Sequence, residues 1–185
     1  MSENNSVASK IENYHVGIDI FDIISADDAY RILQILANEN QTIAKQIEQI
    51  AVESLVSFEI EDIADDVYLD LNSLEVEDVW YNSGNTRYGY VDPTEYAWEM
   101  FEEALEPYME DIKKYQKLSM PVEAKKCCMG ILKGIDKFET ESTSEYKDWA
   151  VDATSEFLKQ VVDEWKKGQN SQEDITEVEK LMARF

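Results

Sequence analysis

Cysteine, histidine, glycine and proline are all scarce in this sequence, and each scarcity closes off a class of structure or chemistry. The 185 residues include two cysteines and one histidine. The cysteines are neighbours, Cys127 and Cys128. Adjacent residues on a helix point about 100° apart and cannot bridge one another. No disulfide framework is expected, and the cytoplasm is the expected compartment. A Ser-His-Asp or Cys-His couple would have to use His15, in an unpatterned N-terminal stretch. One histidine and two adjacent cysteines do not supply the usual four zinc ligands. Six glycines form no phosphate-cradling loop. No apolar run approaches the roughly 20 residues of a membrane span, and the polar first ten residues carry no signal-peptide core.

Positive charge is the other shortage. Seventeen Lys and Arg stand against 40 Asp and Glu, a net charge of -23. Such a surface repels phosphate backbones and anionic membranes, so direct binding to nucleic acid or membrane is not expected. It attracts cationic partners in a salt-dependent way. The acidity has two readings. One is a general acidic bias of the kind that accompanies high internal salt. The other is mimicry of nucleic acid toward a basic protein.

What remains is apolar residues spaced for helices. Hydrophobic residues make up 44% of the chain and aromatics 11%, as in a folded globular protein. Residues 1–24 hold no sustained period and are expected to form a partly disordered arm; residues 25–185 are expected to form one helical-hairpin domain. Ser25 with Asp28 has the spacing of a capping box. It opens a helix with Ala29, Ile32, Leu33, Leu36 and Ala37 on one face. Asn40 caps a second, with Ile43, Ala44, Ile47, Ile50 and Ala51. The short break between them predicts an antiparallel pair. A third helix is expected from about Leu55 to Asp70, and Ser73 is expected to cap a short segment through Trp80. Residues 82–92, rich in Gly and Asn, read as a loop.

Asp92, Pro93 and Glu95 then open the strongest helix. Its apolar stripe runs from Tyr96 to Tyr115, and Glu110 with Lys114 makes an i,i+4 pair. Pro107, on the polar side, should bend this helix without ending it. Pro121 starts the next, in which Gly130 and Gly134 each cost about 1 kcal/mol of helix propensity. Close approach of a neighbouring backbone explains two glycines at that spacing. Gly168 closes a helix through Trp165, and Ser171 with Asp174 opens the last one. The expected fold class is all-α, with antiparallel helical hairpins stacked as a short α-solenoid or irregular bundle.

The stretch Val79-Trp80-Tyr81-Asn82-Ser83-Gly84-Asn85-Thr86-Arg87-Tyr88-Gly89-Tyr90-Val91-Asp92-Pro93-Thr94-Glu95-Tyr96-Ala97-Trp98-Glu99-Met100, with the helix hairpin after it, resembles the helical region of uncharacterised archaeal proteins. Similar regions accompany SWIM-type zinc fingers. Ser25 to Ala51 resembles the lead-in of that region, and the likeness spans roughly residues 17 to 168. The resemblance implies a tetratricopeptide- or HEAT-like array used for protein contact, and it carries over no catalytic residue. The finger's Cys-x-Cys and Cys-x-His pairs are missing from this sequence, and with them any nucleic-acid role of the finger.

Two constellations carry functional expectations. Glu59, Asp62, Asp65 and Asp66 recur on one helix, and Glu102, Glu103 and Glu106 spell Glu-Glu-x-x-Glu. All-α nucleotide pyrophosphohydrolases hold magnesium with such carboxylates on facing helices. An Mg-dependent nucleotide phosphohydrolase using Glu59, Asp62, Asp66, Glu103 and Glu106 is therefore the enzymatic alternative. The Glu-x-x-Asp that should follow closely appears here only as Glu145 to Asp148, too far downstream. The Glu-Glu-x-x-Glu acids also lie opposite the apolar stripe, so solvated faces are the leading reading.

The second constellation is Trp80, Tyr81, Tyr88 and Tyr90 around Arg87, residue types enriched at binding hot spots. Aromatics flanking a loop also pack inward as anchors. The leading expectation is a non-enzymatic scaffold with no catalytic residue, cofactor or metal. It binds a protein partner, basic in character, through Trp80, Tyr81, Arg87, Tyr88 and Tyr90. A second copy of the chain is a further candidate partner.

Overall fold

The structure, a computed structural model, describes residues 23–87, 89–168 and 170–185. The arm expected over residues 1–24, His15 included, lies outside the described residues apart from its last two. The chain divides into two compact units, Met1–Leu55 and Val56–Phe185. Nearly all the described structure is helical, as the apolar spacing predicts. Among the described residues no helix is long and apolar enough to cross a membrane.

The first unit holds α1 (Ala26–Glu39) and α2 (Gln41–Val56, which ends one residue into the second unit). Both starts follow from their caps. The Ser25 hydroxyl accepts from the Asp28 amide at 3.2 Å, and the Asn40 side chain accepts from the Thr42 amide at 2.9 Å. The expected antiparallel pairing is corrected here: α1 and α2 do not pack along each other, and neither buries a residue. The cause is the length of the break. One residue, Asn40, in extended conformation separates them, whereas folding a helix back on its predecessor takes roughly two to five residues.

The second unit contains α3 (Ile60–Asn72), α4 (Val76–Asn82), β1 (Gly84–Thr86), β2 (Gly89–Val91), α5 (Pro93–Lys117), α6 (Pro121–Glu141), a 3-10 turn (Glu145–Asp148), α7 (Ala153–Lys166) and α8 (Gln172–Met182). Its centre is α6, which buries Ala124, Cys127, Cys128, Ile131, Leu132, Ile135 and Phe138 and packs against α3, α5, α7 and α8. Repeats in a solenoid touch only their neighbours along the chain. Four helices around one make this an irregular bundle, the second of the two expected architectures.

The tightest pair, α3 and α6, runs parallel. Gly130 meets Ile63 and Gly134 meets Val67 in the same order along both helices. Lys126 reaches Glu59 at 3.3 Å, Lys137 reaches Asp65 at 2.8 Å, and Lys133 pairs with Glu61 between them. The Phe101 ring lies 5.1 Å from that of Phe157 and 6.0 Å from that of Phe138, joining α5, α6 and α7. Ring pairs of this kind contribute roughly 0.5–1.5 kcal/mol beyond the area they bury.

Several local expectations change. The third helix starts at Ile60, not near Leu55, because Glu59 and Asp62 form a reciprocal capping box there. Ser73 closes α3, donating to the Asp70 carbonyl, and does not cap α4. Lys114 pairs with Asp111 at 3.0 Å and Lys113 with Glu110 at 2.6 Å, so the expected i,i+4 pair gives way to two i,i+3 pairs. The loop over 82–92 contains a small antiparallel hairpin in which Asn85 faces Tyr90. The α5 helix does run through Pro107.

Candidate functional site

Helix α4 is short and pinned by Val76 and Val79, both buried, with Val79 at 0% exposure. Helical geometry then sends Tyr81 away from that buried side, and the residue is 88% exposed. Trp80 flanks the buried face. It meets Trp149 edge-on, centroids 6.1 Å apart, and still leaves 57% of its surface in solvent. Asn82 donates to the Asp78 carbonyl at 2.9 Å, closing the helix. The chain turns out through Gly84 at φ 82° and re-enters through Gly89 at φ 132°, values that side chains rarely adopt. Tyr90, on β2, is 67% exposed. Asp92 then accepts from the amides of Thr94 and Glu95 and starts α5.

The support beneath this surface is aromatic too. The Trp98 indole donates to the Val151 carbonyl at 3.2 Å, and its ring lies 6.0 Å from Phe157. The Tyr146 hydroxyl, fully buried, donates to the Ala97 carbonyl. The segment carrying Trp149 is thereby tied to α5 at two points, and Trp80 rests on a fixed base. Exposed acids flank the aromatics: Glu77 and Asp78 on α4, then Asp92 and Glu95 at the start of α5.

Of the expected partner-binding residues, the structure places Trp80, Tyr81 and Tyr90 outward and Arg87 exposed in the hairpin turn. Tyr88 lies outside the described residues. Trp149 reads from the sequence as a core or hairpin-edge anchor and packs as one against Trp80; the anchoring role of Trp98 was not singled out.

The carboxylates of the enzymatic alternative are not brought together. Glu59 pairs with Lys126, and Asp62 accepts from the Glu59 amide at 2.9 Å, so both are engaged in holding α3. Asp66 is exposed on α3. Glu103 and Glu106 line a different place, a groove of about 410 Å³ between α5 and α7 with Glu99, Glu102 and Glu164 on its walls. Among the described residues no group of three or more His, Cys, Asp or Glu is arranged to hold a metal ion. A second depression, of about 540 Å³, holds Asp136, Lys147, Asp148 and Asp152. Burial, with Glu139 and Glu141 adding to it, raises the Asp136 carboxyl above its ordinary value.

The cysteines are core residues. Cys127 packs against the Tyr108 carbonyl at 3.6 Å, and burial pushes its thiol up to about 12. Burial raises the Cys128 thiol further, with Cys127 adding to it. A thiol held protonated in this way is neither nucleophile nor metal ligand at neutral pH. Compared with known proteins, the chain matches no family model, no curated protein and no solved structure.

Proposed function

We propose that this chain is a non-enzymatic, cytoplasmic helical scaffold that presents an aromatic surface to a basic protein partner. The observation that carries the reading is the exposure of Trp80, Tyr81 and Tyr90, at 57%, 88% and 67%, on a base held by Trp149 and Trp98. Tyr and Trp supply large rigid contact area at low entropic cost and dominate interface hot spots. The flanking acids and the net charge of -23 add attraction for Lys and Arg side chains, which also stack over aromatic faces.

The protein-contact role implied by the archaeal resemblance agrees with this reading, although a bundle around α6 is not the tetratricopeptide- or HEAT-like array it implies. The test is affinity capture from the native cell with the wild type and a Trp80→Ala/Tyr81→Ala variant, read by mass spectrometry. A basic protein held by the wild type and lost by the variant, at a melting temperature lowered by no more than about 5 °C, supports the proposal. Equal capture by both would make the surface structural only.

A further inference from the structure

We infer that the α1–α2 segment is a self-association element, whose uncharged apolar arcs take the same arcs of a second copy of the chain. The inference stands apart from the aromatic surface and rests on different residues. At 100° per residue, Ala29, Tyr30, Ile32, Leu33, Leu36 and Ala37 fall on one arc of α1 about 160° wide. A surface helix facing its own core needs only about 100°. Asp27, Asp28, Arg31 and Glu39 all fall on the other side. On α2 the arc of Ile43, Ala44, Ile47, Ile50, Ala51 and Leu55 is about 140° wide, and Lys45, Glu48 and Glu53 lie outside it.

These arcs are wet. Tyr30 is 63% exposed, Leu33 45% and Ile50 66%, and neither helix buries a residue. Helices of 14 and 16 residues are marginal in water without packing, and an apolar patch of this size marks an interaction site. The exposed part of the two arcs is on the order of 800 Å², about what each partner contributes to a standard protein interface.

Charge selects the occupant. The arcs hold no charged group with which to choose a basic or acidic partner, whereas a second copy brings an equally uncharged surface and pairs it by twofold symmetry. Location agrees. Residues 56–185 carry 31 acidic and 14 basic side chains, net -17, and repel their own kind; residues 1–55, the unit that holds the arcs, carry 9 and 3, net -6. Two copies of this chain meet with least repulsion through the segment.

The test is sedimentation velocity and light scattering on the full chain from about 1 to 100 μM. The wild type should show twice the 21.4 kDa chain mass. A Leu33→Glu/Leu36→Glu variant should be monomeric, while tryptophan fluorescence, from four residues all beyond Leu55, melts unchanged. Raising salt should tighten the dimer by screening the acidic bodies, the opposite of its effect on a complex with a basic partner. A Tyr81→Ala variant should stay dimeric. A wild type that is monomeric throughout overturns the inference. It does so whether the variant then melts lower, because the chain's own second unit covers the arcs, or loses a separate protein. A variant as dimeric as the wild type overturns it as well.

Discussion

Gly134 lies directly against Val67. A β-carbon on the glycine would stand 2.6 Å from the valine Cβ and 2.8 Å from the Ala64 carbonyl oxygen. Gly130 has the same relation to Ile63, at 2.6 Å, and to the Ile60 carbonyl, at 2.9 Å. These two contacts set the spacing of α3 and α6, so the parallel lysine–carboxylate pairs beside them follow from the glycines. Because backbone oxygens are among the obstructing atoms, a rotamer change cannot relieve the overlap. Gly134→Ala gains about 1 kcal/mol in helix propensity but forces the helices apart. The expected net change is a loss of about 1–3 kcal/mol, measured by urea unfolding. A stabilised variant would mean that α3 and α6 are not this close.

Tyr146 donates its buried hydroxyl to the Ala97 carbonyl across 49 positions of sequence. Tyr146→Phe keeps the ring and removes the bond. It should cost about 0.5–1.5 kcal/mol and loosen the segment that carries Trp149. Hydrogen exchange over residues 145–152 should rise, while α3 and α6 keep their protection.

The thiols of Cys127 and Cys128 are buried and raised in pKa. At pH 8 a disulfide reagent should titrate them at least about a hundredfold more slowly in the native protein than in denaturant. Fast native reaction of either would contradict the packing of α6.

Asp136 is an acid whose folded pKa is raised, first by burial and then by Glu139 and Glu141. Its proton is held more tightly in the folded chain. The stabilising contribution is therefore present below the unfolded carboxyl value and disappears as pH rises through the folded one. Asp136→Asn removes that loss. Its melting temperature should exceed the wild type's at pH 7, with the gap closing toward pH 3. A gap independent of pH would assign the effect to packing.

Much of this was legible from local chemistry. Ser25, Asp92 and Ser171 precede apolar periods and each accepts from the amides it should. The glycine spacing announced a close neighbour. Which helix would come close was not legible, because the match of Gly130 to Ile63 joins residues 67 apart and depends on whole faces. The break before Ile60 was hidden because no Gly or Pro marks it and the apolar stripe runs through Val56 in phase. Gly168 follows the C-cap of α7, as expected of a closing glycine. Not legible was that it also gives room to Gln116, whose side chain would meet a β-carbon there at 2.9 Å and which donates to the carbonyls of Glu164 and Trp165. The outward pose of Trp80, Tyr81 and Tyr90 was likewise open, since ring chemistry suits a core and an interface equally well.

On the proposed function, the exposed rings of α4 and β2 bind a partner and do not hold the fold. The most direct measurement sets affinity capture beside thermal melting for the Trp80→Ala/Tyr81→Ala variant. A basic partner should disappear with the variant, and from the wild type at raised salt too, while the melting temperature falls by no more than about 5 °C, the scale of losing the Trp80–Trp149 ring pair. A partner retained by the variant, or a melting temperature that collapses with the rings removed, contradicts it.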